Sequence, residues 1–258
     1  MSKMTMGCQM NSKAQMRPAR VIAAIPCYNE EQFIGNVIRK ASRYVDQVIV
    51  VDDGSSDWTA EVAEAAGAIV VRHEVNKGPG GAYKTCLKVA RDNGVEVLIT
   101  LDGDEQHDPD ELPRLLRPLL SGEADLVIGS RFLDQYEVPR YRKFGIDVIT
   151  FLYNVGSKVK VVDAQSCYRG YNRKALDRLH ITEDGFGFSV ELLVQARKNG
   201  LRIVEVPISC IYHEASHSMN PVLHGVGVAL MVVKHRALAA LDTLVGNTVP
   251  VASEEAAT

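Results

Sequence analysis

The sequence predicts an α/β fold, a mainly parallel central sheet flanked by helices, on three observations. From Val21 onward, short apolar runs alternate with segments of helical periodicity, as repeated strand–helix–strand units require. The runs Gln47–Val51 and Val95–Leu101 are nearly continuous in aliphatic residues, the composition of strands buried in a parallel sheet. Polar clusters follow the early runs, at the strand ends where open α/β sheets bind ligands.

Met1–Arg20 carries Lys3, Lys13, Arg17 and Arg20 without an acid and lacks the apolar stretch of a secretory signal. Residues 1–19 therefore read as a disordered or tag-like lead-in. Val21–Pro26 is the first strand. Asn29 is placed to cap the next helix and Gln32 to close a capping box, with Phe33, Ile34, Val37, Ile38 and Ala41 on one face. Gln47–Val51 is the second strand, and a helix over Asp57–Ala66 stops at Gly67. Ala68–Arg72 reads as strand, Gly80–Asp92 as helix and Val95–Leu101 as strand. Asp108-Pro109-Asp110-Glu111 combines an N-cap, an N1 proline and an N3 acid, opening the helix before a fifth strand at Asp125–Gly129.

After Arg131 the alternation weakens. Leu133–Lys143, with Pro139, reads as a loop and Phe144–Val159 as a helix. Val161–Tyr171 holds a polar cluster and a strand, Ser189–Asn199 a helix and Leu201–Pro207 a strand. Pro221 begins a last helical stretch, apolar over Val222–Val233, interrupted by Lys234-His235-Arg236 and resumed over Ala237–Val245. The expected organisation is one domain over 20–220 with a C-terminal helical extension and tail over 221–258.

Composition narrows the function. The 258 residues are 46% hydrophobic and 24% charged, with a net charge of −3, which argues against a dedicated nucleic-acid binder. The five cysteines (Cys8, Cys27, Cys86, Cys167 and Cys210) are odd in number and form no C-x-x-C pair, which suits reduced thiols in a cytoplasmic setting. No run reaches the roughly 18–20 apolar residues of a membrane span.

Tyr28-Asn29-Glu30, Asp52-Asp53-Gly54-Ser55, Asn76–Gly81 and Asp102-Gly103-Asp104 are distant in sequence but all follow strands. Any one alone is an ordinary turn; together they point to one crevice. Asp102 and Asp104, spaced i, i+2 around a glycine, can reach one hard cation, Mg²⁺ or Mn²⁺, bridging to diphosphate oxygens. Asp108 already serves as the cap, so capping does not account for them. Asn76-Lys77-Gly78-Pro79-Gly80-Gly81 fits neither a Walker loop nor G-x-G-x-x-G. Lys77 and the backbone at Gly78 could face an anion or a base, or the stretch is a plain helix entry.

Pro26-Cys27-Tyr28-Asn29-Glu30, Val50–Ser55, Asn76-Lys77-Gly78-x-Gly80-x-Ala82, D-x-D-x-Q at Asp102–Gln106 and Gly129-Ser130-Arg131 resemble the family 2 glycosyltransferases of GT-A fold. More narrowly they are similar to the dolichyl-phosphate mannose synthase group of polyprenyl-phosphate glycosyltransferases, over about Val21–Pro207. The resemblance implies a Rossmann-like sheet and a metal-dependent, inverting transfer from a nucleotide-sugar, GDP-mannose or a UDP-sugar. It implies that Pro26, Tyr28, Glu30, Asp52 and Asp53 line the nucleoside pocket. Asp102, Asp104 and Gln106 would hold the metal and diphosphate, and Arg131 and Ser166 would meet the acceptor phosphate. Arg140, Arg142 and Lys143 extend the basic patch around Arg131 that suits a phosphate, with Arg142 a further candidate for the acceptor phosphate, unless they belong to a solvated loop with Asp134 and Glu137. Glu191 either matches a family acid near the sugar or is a surface helix acid, and Asp104, Arg131 and Glu191 are the catalytic candidates.

The chain departs from the group at Cys167-Tyr168, where Gly-Phe is common. It departs again after Val206-Pro207-Ile208, where His213 and His217 stand in place of an Arg and a Gly-x-Ser-Lys stretch. The expected enzyme works at the cytoplasmic face, peripherally, on a polyprenyl or dolichyl phosphate lipid. Val222–Val233 with its basic flank either lies at the membrane or packs on its own domain or a second subunit, and the partners expected of the enzyme include a second copy of the chain or a separate membrane subunit. Two alternatives stay open: a soluble hydroxyl acceptor with Asp184 or Glu191 as general base, and a nucleotide-sugar-binding subunit without catalysis.

Overall fold

The computed structural model describes residues 21–134, 140–157 and 159–211, with 140–142 as backbone only. The lead-in, His213, His217 and the C-terminal extension lie outside the described residues.

The chain runs β1 (Val21–Cys27), α1 (Ile34–Ala41), β2 (Gln47–Asp52), α2 (Thr59–Ala65), β3 (Ile69–Arg72), α3 (Gly78–Asp92) and β4 (Val97–Thr100). A 3-10 turn at Pro109–Glu111 leads into α4 (Leu112–Leu120), followed by β5 (Leu126–Ser130), α5 (Arg140–Asn154) and β6 (Arg169–Asn172). Then come α6 (Arg173–Arg178), α7 (Phe188–Lys198) and β7 (Ile203–Pro207). The strands form one seven-stranded sheet in the order β3-β2-β1-β4-β6-β5-β7. β6 alone runs antiparallel, against β4 and β5.

Alternation along β1 shows how the sheet divides its core. Ile22 and Ala24 face the layer containing Tyr83, Leu87, Ile149, Phe188 and Leu192 from α3, α5 and α7. Ala23, Ile25 and Cys27 face the other layer, with Ile34, Ile38, Leu112 and Leu115 from α1 and α4. Because both faces are covered, the strands carry no polar alternation. β1 pairs in parallel with both β2 and β4. Strand order reverses there, so the crevice beyond the carboxyl ends of β1 and β4 is the topological switch point.

Two expectations need correction. No capping box forms at Asn29: it takes φ 58°, and its Oδ1 accepts from the Ser56 N–H at 2.9 Å. The asparagine joins two strand-end loops, and α1 begins at Ile34 without a side-chain cap. Second, α5 starts at Arg140 inside the expected loop and ends at Asn154, whose amide exchanges hydrogen bonds with the Val161 backbone at 2.7 and 3.0 Å. The expected strand near Tyr171 is β6, which runs antiparallel within the mainly parallel sheet and leads directly into α6, where Asn172 Oδ1 caps by accepting from the Ala175 N–H at 2.9 Å. Among the described residues no helix is long and apolar enough to cross a membrane.

Candidate active site

β1 and β4 place their following loops side by side. A Cβ on Gly103 would lie 2.6 Å from Cys27 Sγ, so glycine lets the Asp102–Asp104 turn press against the end of β1. Asp104 Oδ1 accepts from the Gln106 N–H at 3.0 Å, and the Gln106 amide nitrogen donates to Oδ2. Gln106 thus orients Asp104, although the resemblance assigns it to the metal. Across the crevice, the Glu30 N–H donates to Thr59 Oγ1 at 2.7 Å and the Asn29 N–H to Ser55 Oγ at 2.9 Å. These bonds tie the β1 loop to the β2 loop.

The three carboxylates resist ionisation. Burial, then the charges of Asp104 and Asp102, push Glu30 up to about 8. Burial pushes Asp102 up to about 6 against the opposing charge of Arg131. Asp104 is raised by burial and then by Asp102. Clustered carboxylates in a partly desolvated crevice are what a divalent cation relieves. Among the described residues no group of three His, Cys, Asp or Glu could hold a metal ion by itself. The donor set suits Mg²⁺ or Mn²⁺ held by one or two carboxylates plus phosphate oxygens and water.

His107, absent from the sequence expectations, lies behind Asp102. It is buried, stacks at 5.0 Å on Tyr168, and burial pushes it down to about 4. Its Nδ1 accepts a long, 3.4 Å hydrogen bond from the Asp102 N–H, which places the neutral ring's proton on Nε2.

At the end of β2 the two aspartates are built into the protein. Asp52 Oδ1 accepts from the Ser55 N–H at 2.9 Å. Its Oδ2 lies 3.1 Å from Arg72 Nε without the alignment of a hydrogen bond. Asp53 Oδ1 accepts from the Lys77 N–H at 2.9 Å and lies 2.6 Å from His73 Nδ1. Pro26 is half-buried, and Tyr28 stands exposed at the end of β1. The glycine loop is not an open anion cradle: the Gly78 N–H donates to Asn76 Oδ1 and the Gly80 N–H to Asp184 O. Its Lys77 side chain is exposed.

Arg131, at the end of β5, donates through Nε and Nη2 to Asp163 Oδ2 and Oδ1 at 2.7 and 2.8 Å, and its backbone N–H adds 3.2 Å. Asp163 is fully buried. Burial opposes its ionisation, but the Arg131 guanidinium and the hydrogen bonds outweigh it and hold the carboxyl below its usual range. Ser166 does not open onto this site: it is buried, its N–H donates to Asp163 Oδ1 and its Oγ accepts from the Tyr168 N–H. Arg142 lies in the first turn of α5. Lys143 pairs with Asp147 at 2.7 Å and sits 5.1 Å above the Phe132 ring.

A sequence profile described as glycosyl transferase family 2 matches residues 22–179. The chain belongs to this family. The glycosyltransferase is 34% identical over 215 residues to the UDP-N-acetylglucosamine–dolichyl-phosphate N-acetylglucosaminyltransferase of Methanococcus voltae, across 74% of this chain and 86% of the relative. It is 33% identical to the polyprenol monophosphomannose synthase of Mycolicibacterium smegmatis, across 76% and 79%. Among solved structures, the glucosyl-3-phosphoglycerate synthase of Mycobacterium tuberculosis, in complex with Mn²⁺, UDP-glucose and phosphoglyceric acid, superposes with TM-score 0.70 at 25% identity. That match covers 85% of this chain and 80% of the other.

Within the glycosyltransferase, Glu191 departs furthest from its expected catalytic place. It is buried, and its carboxylate accepts from the Thr182 and Glu183 backbone, Thr182 Oγ1 and Gln195 Nε2. Arg169 had no assigned role. Fully buried, it donates to the carbonyls of Ser166, Ser189 and Ala164 at 2.7, 2.7 and 2.9 Å, fixing the segment that carries Asp163. Its arginine, three residues past Ser166, was visible in the sequence; its burial was not.

Proposed function

We propose that this glycosyltransferase moves one sugar from a nucleoside diphosphate sugar to a polyprenyl phosphate, with inversion and a divalent cation at Asp102 and Asp104. The observation carrying this reading is the juxtaposition of mutually destabilised carboxylates with Arg131, whose charge reaches Asp102. One end of the crevice suits a metal diphosphate and the neighbouring end an anionic acceptor. The names of the curated relatives support the same pairing.

An acceptor phosphate oxygen attacks the anomeric carbon, the bond from that carbon to the diphosphate oxygen breaks, and the nucleoside diphosphate leaves with the electron pair. The nucleophile is already an anion, so no side chain need take a proton. The protein's task is alignment and charge stabilisation. The cation, when bound, neutralises the leaving diphosphate. Gln106 orients Asp104, His107 braces the Asp102 backbone, and Asp163 holds the Arg131 guanidinium in one plane toward the acceptor phosphate.

The α5 face supports a lipid-borne acceptor. Phe144 (71% exposed), Val148 and Phe151 (67%) follow helical spacing on one side of α5, and the exposed Val155 comes just past its end. Phe132 and Lys143 connect that face to Arg131. Such a face suits peripheral contact with the membrane carrying the acceptor.

Calorimetric titration of UDP, GDP and their sugars, with Mn²⁺, with Mg²⁺ and with EDTA, tests the sugar-donor site and names its base. Transfer of labelled sugar to polyprenyl phosphate, read in the organic phase, tests the acceptor. Metal-dependent binding that is absent in Asp104→Ala is the expected result. No nucleotide binding would overturn the sugar-donor site, and label appearing only in water-soluble acceptors would overturn the lipid.

A further inference from the structure

We infer that Glu191 is a positioning residue for the sugar donor: it fastens residues 182–184 as a strap against the glycine loop that presents Lys77. The inference deepens the reading above and rests on its sugar-donor site.

A carboxylate as buried as Glu191, 1% exposed, is costly unless its lone pairs are satisfied. No basic side chain among the described residues pairs with it. Its partners instead come mostly from one short segment: Thr182 N–H at 3.0 and 3.1 Å, Thr182 Oγ1 at 2.6 Å and Glu183 N–H at 3.2 Å. Gln195 Nε2 adds a donor at 3.3 Å. Two carboxylate oxygens offer about four lone-pair sites, so a general base has no free position here. What the carboxylate does is hold the strap.

The strap in turn presses its backbone onto the glycine loop. The Gly80 N–H donates to Asp184 O at 2.8 Å. A Cβ on Gly80 would stand 2.1 Å from Glu183 O, and one on Gly78, at φ 79°, would stand 2.8 Å from Asp184 O. Only glycines permit that approach. On its other side the loop is held by the Lys77 N–H donating to Asp53 Oδ1 at 2.9 Å. A Cβ on Gly54 would lie 3.0 Å from Asn76 N, so this contact is also close. The loop is therefore clamped between the end of β2 and the strap. Between these jaws the exposed Lys77 forms no ion pair among the described residues, and its ammonium is available to an anion. Glycines that look like a phosphate cradle in sequence serve backbone packing, and the charge comes from Lys77.

Glu191→Gln keeps the shape but turns an amide N–H₂ toward N–H donors. The expected result is a rise of about tenfold in KM and Kd for the sugar nucleotide, the size of one lost buried hydrogen bond. Turnover at saturating sugar donor and acceptor KM should stay near wild type, and the Gly80 amide should exchange faster with deuterium. Gly80→Ala, which pushes the strap away from the other side, should reproduce the KM effect and be less than additive with Glu191→Gln. A turnover loss of about 100-fold or more at unchanged sugar-donor KM would make Glu191 a general base and overturn the inference. A lower Tm with unchanged sugar-donor KM and unchanged Gly80 exchange would overturn it in favour of a purely structural acid. If the wild-type enzyme binds no nucleotide, the sugar-donor reading itself fails. If wild type and Glu191→Gln bind equally, only the positioning role fails.

Discussion

Asp163→Asn is the sharpest test of how the acceptor end is built. The substitution keeps volume and removes the charge that receives two guanidinium N–H groups at 2.7 and 2.8 Å, the Arg131 backbone N–H and the Ser166 N–H. Asp163 is fully buried and the Arg131 side chain is 13% exposed, so solvent screens this pair little. Breaking one partner of such a pair costs about 3 kcal/mol, the low end for buried ion pairs. For a domain of this size that corresponds to a Tm lower by about 6–12 °C. The pH dependence has a definite sign. Asp163 is depressed in the folded state despite burial, because of Arg131 and the hydrogen bonds. It therefore stabilises the fold above its unfolded pKa of about 3.9, and that contribution is lost as pH falls through the lower folded value. Thermal unfolding across acid pH should show wild type losing part of its advantage below about pH 4, with the variant curve flatter. In transfer assays KM for the phosphate acceptor should rise while sugar-donor KM holds. A variant that melts with wild type, keeps the same acid slope and binds acceptor normally would refute the role assigned to the pair.

Asp104→Ala should abolish metal-dependent nucleotide binding in calorimetry without lowering Tm, because it also removes a like charge from Glu30 and Asp102. Gly103→Ala should destabilise by about 1–3 kcal/mol through overpacking on Cys27 Sγ. Adding Cys27→Ala should restore part of that loss in chemical denaturation; an additive pair would contradict the contact. Phe144→Ser with Phe151→Ser should leave stability within about 0.5 kcal/mol, since both side chains are exposed. The same double variant should reduce flotation with anionic vesicles, and undiminished flotation would remove α5 from the membrane surface.

The order of strands and helices was legible because burial on both faces leaves a residue-level trace. QVIVVD at β2 and VLIT at β4 are wholly apolar up to their polar ends. Asp108 and Gly67 announced helix boundaries through local backbone chemistry, and both hold: Asp108 accepts from the Asp110 N–H and Gly67 takes φ 92°. Asn29 misled because a side chain that can cap its own helix can equally accept from Ser56 on another loop. The β6 reversal was hidden because Arg169–Asn172 alternates no differently in either direction.

By itself the sequence determined the α/β class, because periodicity depends on near neighbours, and it carried the ordered motifs that resemble the family; the i, i+2 pair Asp102 and Asp104 was also visible there, and its metal role stays a proposal. The tertiary structure decided which polar groups face the crevice and which are consumed within the protein. Asp53, Ser166 and Glu191 carry the residue types of a site, yet each is buried with its partners inside the protein: Asp53 with His73 and Lys77, Ser166 with Asp163 and Tyr168, and Glu191 with Thr182 and Glu183. Burial and hydrogen-bond satisfaction are properties of the assembled fold, so only there do Lys77 and Arg131 separate from the residues that hold them in place.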